Sequence, residues 1–224
     1  IQDESIASVE ALIRWQHPEF GAVAPDRWIP LAEQVGMIHQ VTLWVIDRAC
    51  SDLGALKSLH GENLAVAVNI SANDLTYPDF LEKVESIVDH HGAKPSNLIL
   101  EITETAMMAD IALAQEVIRA LSHNGFKIPV DDFGTGHSSL GTLATFELDE
   151  LKIDRSFLSD ILTQPARQRI FRAALDLGEA LDLDVVVEGV EEEAIASWLQ
   201  QFPGLYGQGY YWGAPERLKM RAPI

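Results

Sequence analysis

Cysteine is almost absent from this chain of 224 residues: Cys50 is the only one, so no internal disulfide can brace the fold, and a reducing compartment suits it. It follows the apolar helical stretch 41–49 and reads as a buried core thiol. Long apolar runs are also lacking. None could span a bilayer, and no signal-peptide pattern opens the chain, which points to the cytoplasm or to the cytoplasmic part of a membrane-anchored protein. The first residue is Ile1 and not Met, so the sequence reads as one domain cut from a larger, multidomain signalling protein. Basic residues are scarce: 16 Lys and Arg stand against 34 Asp and Glu, a formal charge of -18. Such a surface repels nucleic-acid backbones and anionic membranes, which argues against a nucleic-acid polymer as partner. A phosphate-bearing substrate would need a local welcome from metal ions or a few placed basic groups. Disorder has no signature here, because 47% hydrophobic and 22% charged residues suit one globular domain with a substantial core.

What is present is organised around residues 127–136, KIPVDDFGTG. A short apolar run leads into Asp131 and Asp132 and then a Gly-Thr-Gly turn. Consecutive strand residues point to opposite sides, so the two acids can share a task only where the strand ends, with Gly134 and Gly136 supplying the freedom to turn. Adjacent like charges repel unless a cation sits between them, and a divalent metal is the usual solution. For this pair alone, an Asx-type turn with two solvated aspartates is the competing reading.

Along the chain, strand-like and helical stretches alternate. Residues 6–15 read as a strand with Glu10 and Arg14 on one face, where an ion pair on an edge strand is the plain alternative to a functional role. Helices are expected over 25–36, 41–59, 73–90 with Pro78 in its first turn, 110–124, 168–181 and 192–200. Strands are expected over 64–70, 97–102, 128–132, 148–153, 185–188 and 205–211, seven in all with the first. This alternation predicts a parallel sheet with right-handed crossovers, either doubly wound or closed into a barrel. No Gly-rich phosphate loop follows the first strand, as an open Rossmann sheet would want, whereas polar residues sit at the C-terminal ends of several strands, as in (β/α)8 barrels. Seven strands, in a chain under the typical length of about 250 residues, suggest a first strand upstream of Ile1.

The polar set at the strand ends is Glu10, Asn69, Glu101, Asp131, Asp132, Lys152, Glu188 and Gln208. Carboxylates and one amide oxygen, with no His or Cys, describe a hard-cation site for Mg²⁺ or Mn²⁺. The seven histidines are scattered and read as surface residues. Two hard cations sharing a carboxylate can activate water and stabilise a leaving alkoxide, and Lys152 adds a positive group for the developing charge.

These residues stand in segments that together resemble the EAL-domain cyclic di-GMP phosphodiesterases. The segments are EALIRW from Glu10, IPLAE from Ile29, VNIS from Val68, EITE from Glu101, DDFGTG from Asp131, LKIDRSF from Leu151, EGVE from Glu188 and QGYY from Gln208. One three-letter motif is weak, but eight in the right order are specific. The resemblance implies an α/β fold, a (β/α)8 TIM-like barrel of EAL type whose antiparallel first strand is missing from this chain, and hydrolysis of cyclic di-GMP to linear pGpG. It implies two Mg²⁺ or Mn²⁺ ions, with Ca²⁺ inhibitory. Glu10, Asn69, Glu101 and Asp131 would hold the first, and Asp131 would bridge to a second held by Asp132 and Glu188. Lys152 would contact the attacking water, Leu12 and Arg14 the substrate, and Glu191 and Gln208 would complete the pocket. Glu104 would order the loop after Asp132 through Thr135 or a neighbour, although Glu104 and Glu191 also suit helix caps.

The chain departs from the family pattern in three places. The usual Tyr-Gln-Pro segment is not in it and the turn at residues 2–5 looks shortened, His137 replaces a Tyr, and Glu192 replaces a Thr. Linked sensor or GGDEF domains and a homodimer are expected partners. Two rival readings are a catalytically silent cyclic di-GMP receptor and a different metal-dependent barrel enzyme of enolase type. The first usually shows lost ligands or a lost lysine; the second needs a dedicated base opposite the metal, and Lys152 is the sole basic side chain expected at the barrel mouth apart from Arg14.

Overall fold

A computed structural model describes residues 1–2, 5–135 and 140–218; the departure at His137 therefore lies outside the described residues, as do Asp3 and Glu4 of the shortened turn. The chain divides into two compact units. One comprises 6–102 and 106–128, the other 1–5, 103–105 and 129–224.

The first unit begins with β1 (Ser8–Glu10), then a two-stranded antiparallel ribbon, β2 (Trp15–His17) and β3 (Gly21–Val23). Pro25, with its φ already fixed for helix, opens α1 (Pro25–Gln34). The long α2 (Ile38–His60) stops at Gly61, whose φ of 113° a side chain would resist. β4 (Ala65–Ile70) follows, then α3 (Ala72–Leu75), α4 (Phe80–His90) and β5 (Leu98–Thr103). After the short α5 (Glu104–Ala109), whose first two residues belong to the other unit, Asp110 caps α6 (Ile111–His123) by accepting from the Leu113 N–H. Parallel pairing joins β1 to β4 and β4 to β5. Val66, Val68, Ile70, Leu98, Leu100 and Ile102, all buried, form one face of these strands, while Ala65, Ala67 and Ile99 form a separate small cluster on the other.

The second unit holds β6 (Pro129–Phe133), α7 (Leu140–Leu143), β7 (Glu150–Ile153), α8 (Pro165–Ala180), β8 (Asp184–Val187), α9 (Glu193–Leu199) and β9 (Leu205–Gly207). β6, β7, β8 and β9 pair in parallel, each with the next. Ile153, Val185, Val187 and Leu205 pack with Phe171 and Ala174 of α8 and Ala196 and Leu199 of α9 in one core. Strand alternation therefore sends Lys152, Glu188 and Gln208 to the opposite face from this core.

Three expectations from sequence need correction. The run 6–15 is not one strand: β1 ends at Glu10, β2 begins at Trp15, and the Arg14 guanidinium donates to the Ile13 carbonyl, 3.0 Å away. The helix expected over 73–90 is two helices. Pro78 lacks an N–H and pushes its predecessor away from helical backbone, and Asp79 then takes a left-handed φ of 64° before α4 starts. The helix expected from Gln168 starts instead at Pro165, which stands at its first position.

Candidate active site

In the first unit, register alone groups three polar residues. Ser8 and Glu10 pair with Ala65 and Ala67, and Asn69 pairs with Glu101, so Glu10, Asn69 and Glu101 share the face of the small Ala65–Ala67–Ile99 cluster. The Asn69 amide nitrogen donates to a Glu10 oxygen at 2.7 Å, which leaves the Asn69 carbonyl oxygen as its acceptor. Glu101 is 3% exposed.

The end of β4 is held by a polar network that sequence reading passed over. Asp74, fully buried, accepts from the Thr42 hydroxyl of α2 at 2.9 Å and from the Ser71 N–H at 2.8 Å, while the Ser71 hydroxyl accepts from the Asp74 N–H. The result is a capping box on α3, and its Ser-x-x-Asp spacing was legible in the sequence. Burial pushes the Asp74 carboxyl above its usual range, against the lowering effects of its Ser71 and Thr42 hydrogen bonds and the charge of His39.

In the second unit, Asp131 and Asp132 are brought to one side by a bulge. Val130 stands opposite Leu151 and Phe133 opposite Ile153, so β6 carries one residue more than β7 over this stretch. The extra turn is made at Asp132 itself, with a left-handed φ of 55°, a conformation aspartate tolerates better than most side chains. This corrects the expectation that the glycines alone supply the turn. The Asp132 N–H donates to the Asp131 carboxylate at 2.8 Å. One oxygen each of Asp131, Asp132 and Glu188 lie within 4.8 Å of one another.

Lys152, 1% exposed, places its ammonium 2.7 Å from Glu188 Oε1 and 3.4 Å from Asp131 Oδ1. A buried ammonium costs several kcal/mol in desolvation, roughly, unless well paired, and these two carboxylates pair it. Glu188 follows β8 directly, and backbone bonds from Gln208 N–H to the Val187 carbonyl and from Val190 N–H to the Gln208 carbonyl tie the loops of Glu188 and Gln208 together. Glu104, 3% exposed, accepts from the Gly134 N–H at 3.1 Å. Thr135 is turned elsewhere, donating its hydroxyl to the Asp132 carbonyl at 2.9 Å, so Glu104 reaches the loop through the neighbour and not through Thr135. Leu12, Arg14 and Glu191 are exposed.

An EAL domain family model matches residues 1–215. The chain belongs to the EAL domain family. Its relatives include the cyclic di-GMP phosphodiesterase NbdA of Pseudomonas aeruginosa, 39% identical over 215 residues, covering 96% of this chain and 28% of that protein. The bifunctional diguanylate cyclase/cyclic di-GMP phosphodiesterase MucR of Pseudomonas aeruginosa is 38% identical over 207 residues, covering 92% and 30%. The chain spans roughly a quarter to a third of the length of the curated relatives it matches. Among solved structures, the PaMucR phosphodiesterase in complex with c-di-GMP superposes with a TM-score of 0.84 at 37% identity, covering 92% of this chain and 83% of that one. The EAL enzyme Bd1971, in a form binding cAMP and cyclic di-GMP, gives 0.88 at 32%, covering 96% and 59%. The fold of this EAL domain is thus the (β/α)8 barrel type, with seven parallel strands among the described residues. Its acidic cluster could hold a metal ion, since Asp131, Asp132 and Glu188 each offer a carboxylate oxygen.

Proposed function

We propose that this EAL domain is a metal-dependent phosphodiesterase that hydrolyses cyclic di-GMP to linear pGpG. The observation that carries the reading is the meeting of Asp131, Asp132 and Glu188 oxygens within 4.8 Å, with the buried Lys152 ammonium against two of the three. The similarity to NbdA and MucR supports the substrate. A catalytically silent receptor would usually show lost ligands or a lost lysine, and here every one of those residues is present.

In this reading Glu10, Asn69, Glu101 and Asp131 would hold one Mg²⁺ or Mn²⁺ ion, and Asp132 and Glu188, with Asp131, would hold a second. When bound, such ions supply Lewis acidity, which makes water nucleophilic near neutral pH and offsets charge on the phosphoryl oxygens. The Asn69 amide nitrogen donates to Glu10, and its carbonyl oxygen would be the atom offered to the ion. Lys152 holds the attacking water with its ammonium and offsets the negative charge that grows as the phosphorus is attacked. Glu188 and Asp131 fix that ammonium in place. Leu12 and Arg14 contact the substrate, and Glu191 and Gln208 close the hydrogen-bond network around it. Glu104 holds the loop after Asp132 by its bond to the Gly134 N–H.

The domain works, in the same reading, inside a larger cytoplasmic or membrane-anchored signalling protein, with sensor or GGDEF domains attached and a homodimer as its assembly. Among the described residues no helix is long and apolar enough to cross a membrane. Incubation of the purified chain with cyclic di-GMP and Mg²⁺ tests the proposal. Appearance of pGpG in Mg²⁺ or Mn²⁺ but not in Ca²⁺, which prefers more ligands at longer distances, is the expected result. Tight binding of cyclic di-GMP with no product in any metal would make the domain a receptor, and full turnover in Ca²⁺ alone would count against the two-metal mechanism.

A further inference from the structure

The turn that follows β7 touches both loops that carry the second unit's acids. It is a short 3₁₀ turn, Arg155–Leu158, capped by Asp154, whose carboxylate accepts from the Ser156 N–H at 2.9 Å. Leu158 anchors it in the core, 5% exposed, among Ile153, Ile161 and Phe171. From this base Phe157, itself packed against that core, meets one loop and Arg155 meets the other.

Phe157 lies against Gly134, so closely that a Cβ built on that glycine would overlap the ring. The same ring stacks on Phe133, centroids 6.5 Å apart at 26°. Gly134 has a φ of 94° and gives its N–H to Glu104. The residue immediately after Asp132-Phe133 is thus gripped at its N–H by a buried carboxylate and covered, where a side chain would start, by the rim of the Phe157 ring. Arg155 does the like for the other loop. Its aliphatic stem packs on Gly189, next to Glu188, where a Cβ would overlap it, and the glycine's φ is 65°. The strand that delivers Lys152 therefore continues into a bracket for the loops of Asp131, Asp132 and Glu188.

We propose that this turn is a positioning clamp for the acidic cluster, with Phe157 as a positioning residue that fixes the Asp131–Asp132 bulge through Gly134. Unlike Glu104, Phe157 has no polar part in the site; it acts by filling the space into which the loop would otherwise relax. The bulge gains from such support because Asp132 sits in a left-handed conformation, sparsely populated by side-chain-bearing residues even though aspartate tolerates it better than most. The proposal rests on the metal-binding part of the function proposed above, and its test has an arm that does not.

The experiment uses the wild-type chain, Phe157→Ala, the milder Phe157→Leu, and Leu158→Ala as a control that removes core packing from the same turn without touching Gly134. Amide hydrogen exchange on metal-free protein reads the loop directly. Exchange over 131–135 should be about tenfold faster in Phe157→Ala, intermediate in Phe157→Leu, and within about twofold of wild type in Leu158→Ala. Mn²⁺ titration by calorimetry should show affinity down roughly tenfold in Phe157→Ala and nearly unchanged in Leu158→Ala, whose melting temperature falls at least as far. Wild-type exchange in Phe157→Ala, or equal loosening in Leu158→Ala, overturns the clamp. Should the wild-type chain bind no Mn²⁺ at all, the metal reading fails, while the exchange data still decide whether Phe157 holds the loop.

Discussion

Glu10, Asn69 and Glu101 are aligned by the register of regular parallel strands, and Asp131, Asp132 and Glu188 by departures from regularity. In the first unit, β1, β4 and β5 pair without interruption, and three polar side chains share a face because Glu10 pairs with Ala67, two residues before Asn69, and Asn69 pairs with Glu101. In the second, a bulge, a left-handed aspartate and two tightly covered glycines set the acids, and the supports come from other segments: Glu104, Lys152, Arg155 and Phe157. A group placed by register is secured as long as the strands pair. A group placed by a loop depends on each neighbour that fills or bonds that loop, so single substitutions should act far more strongly in the second unit on function and far less on overall stability.

The largest effect is expected at Lys152. Lys152→Ala should lower turnover of cyclic di-GMP by about a hundredfold or more, with binding changed much less, since its interaction with the reacting phosphate strengthens only in the transition state. Saturation kinetics with calorimetric binding read this, and weakened binding at a normal maximal rate would demote the lysine to a neutraliser of acidic charge. Next comes Glu104→Ala, which leaves the Gly134 N–H without its carboxylate. Loss of about tenfold or more in turnover and in Mn²⁺ affinity is expected, with a melting temperature near wild type. An unchanged rate would make Glu104 an ordinary residue of the α5 start and would weaken the contrast between the two units.

A smaller effect, on stability alone, is expected at Asp74 in the register-held unit. Burial raises this carboxyl in the folded chain, so between its ordinary value and the raised one the folded state keeps a proton that the unfolded chain has released. The stability it contributes is greatest below the ordinary carboxylate range and is lost as pH rises through the folded value. Asp74→Asn keeps an acceptor for Thr42 and Ser71 without that proton dependence. Melting curves of the two proteins should coincide in acid and separate in favour of the variant toward neutral pH, by roughly 2–4 °C for each kcal/mol of penalty removed. A gap that opens in the opposite direction would show the carboxylate to be better paired than its burial suggests.

The smallest effect is expected at Cys50. Burial and the nearby Asp47 push its thiol up to about 11, so alkylation at pH 8 should be slow in the folded chain and at least about tenfold faster once it unfolds. The same slow rate in Glu104→Ala would show that loosening the Asp132 loop leaves the first unit closed. A faster rate there would mean that the two regions fail together, and that the distinction between register-held and loop-held groups is not one of independent stability.

Much of this was open to sequence reading. The alternation of apolar strands and amphipathic helices, with polar residues at strand ends, needed only the two periodicities, and the eight motifs named the family on their own. Where local rules met a competing constraint, the pattern misled: the run 6–15 looked like one strand although the chain turns out of the sheet after Glu10, and Pro78 with Asp79 broke a helix that periodicity would carry through. Phe157 gave no signal, since an aromatic after a strand is most often core, and only its approach to Gly134 separates it from Leu158.

The sequence by itself determined which residues are available for chemistry, that the donors are oxygen-only and so suit hard cations, and that polar side chains fall at the ends of apolar strands, because composition and hydrophobic periodicity are local properties of the chain. Only the tertiary structure decided that Asp131 and Asp132 come to the same side, that Lys152 reaches Glu188 and Asp131 from a buried position, and that Glu104 bonds Gly134 and not Thr135. Those facts turn on a one-residue mismatch between neighbouring strands and on which side chain fills the space above a glycine, and both are settled by packing between segments distant in the chain.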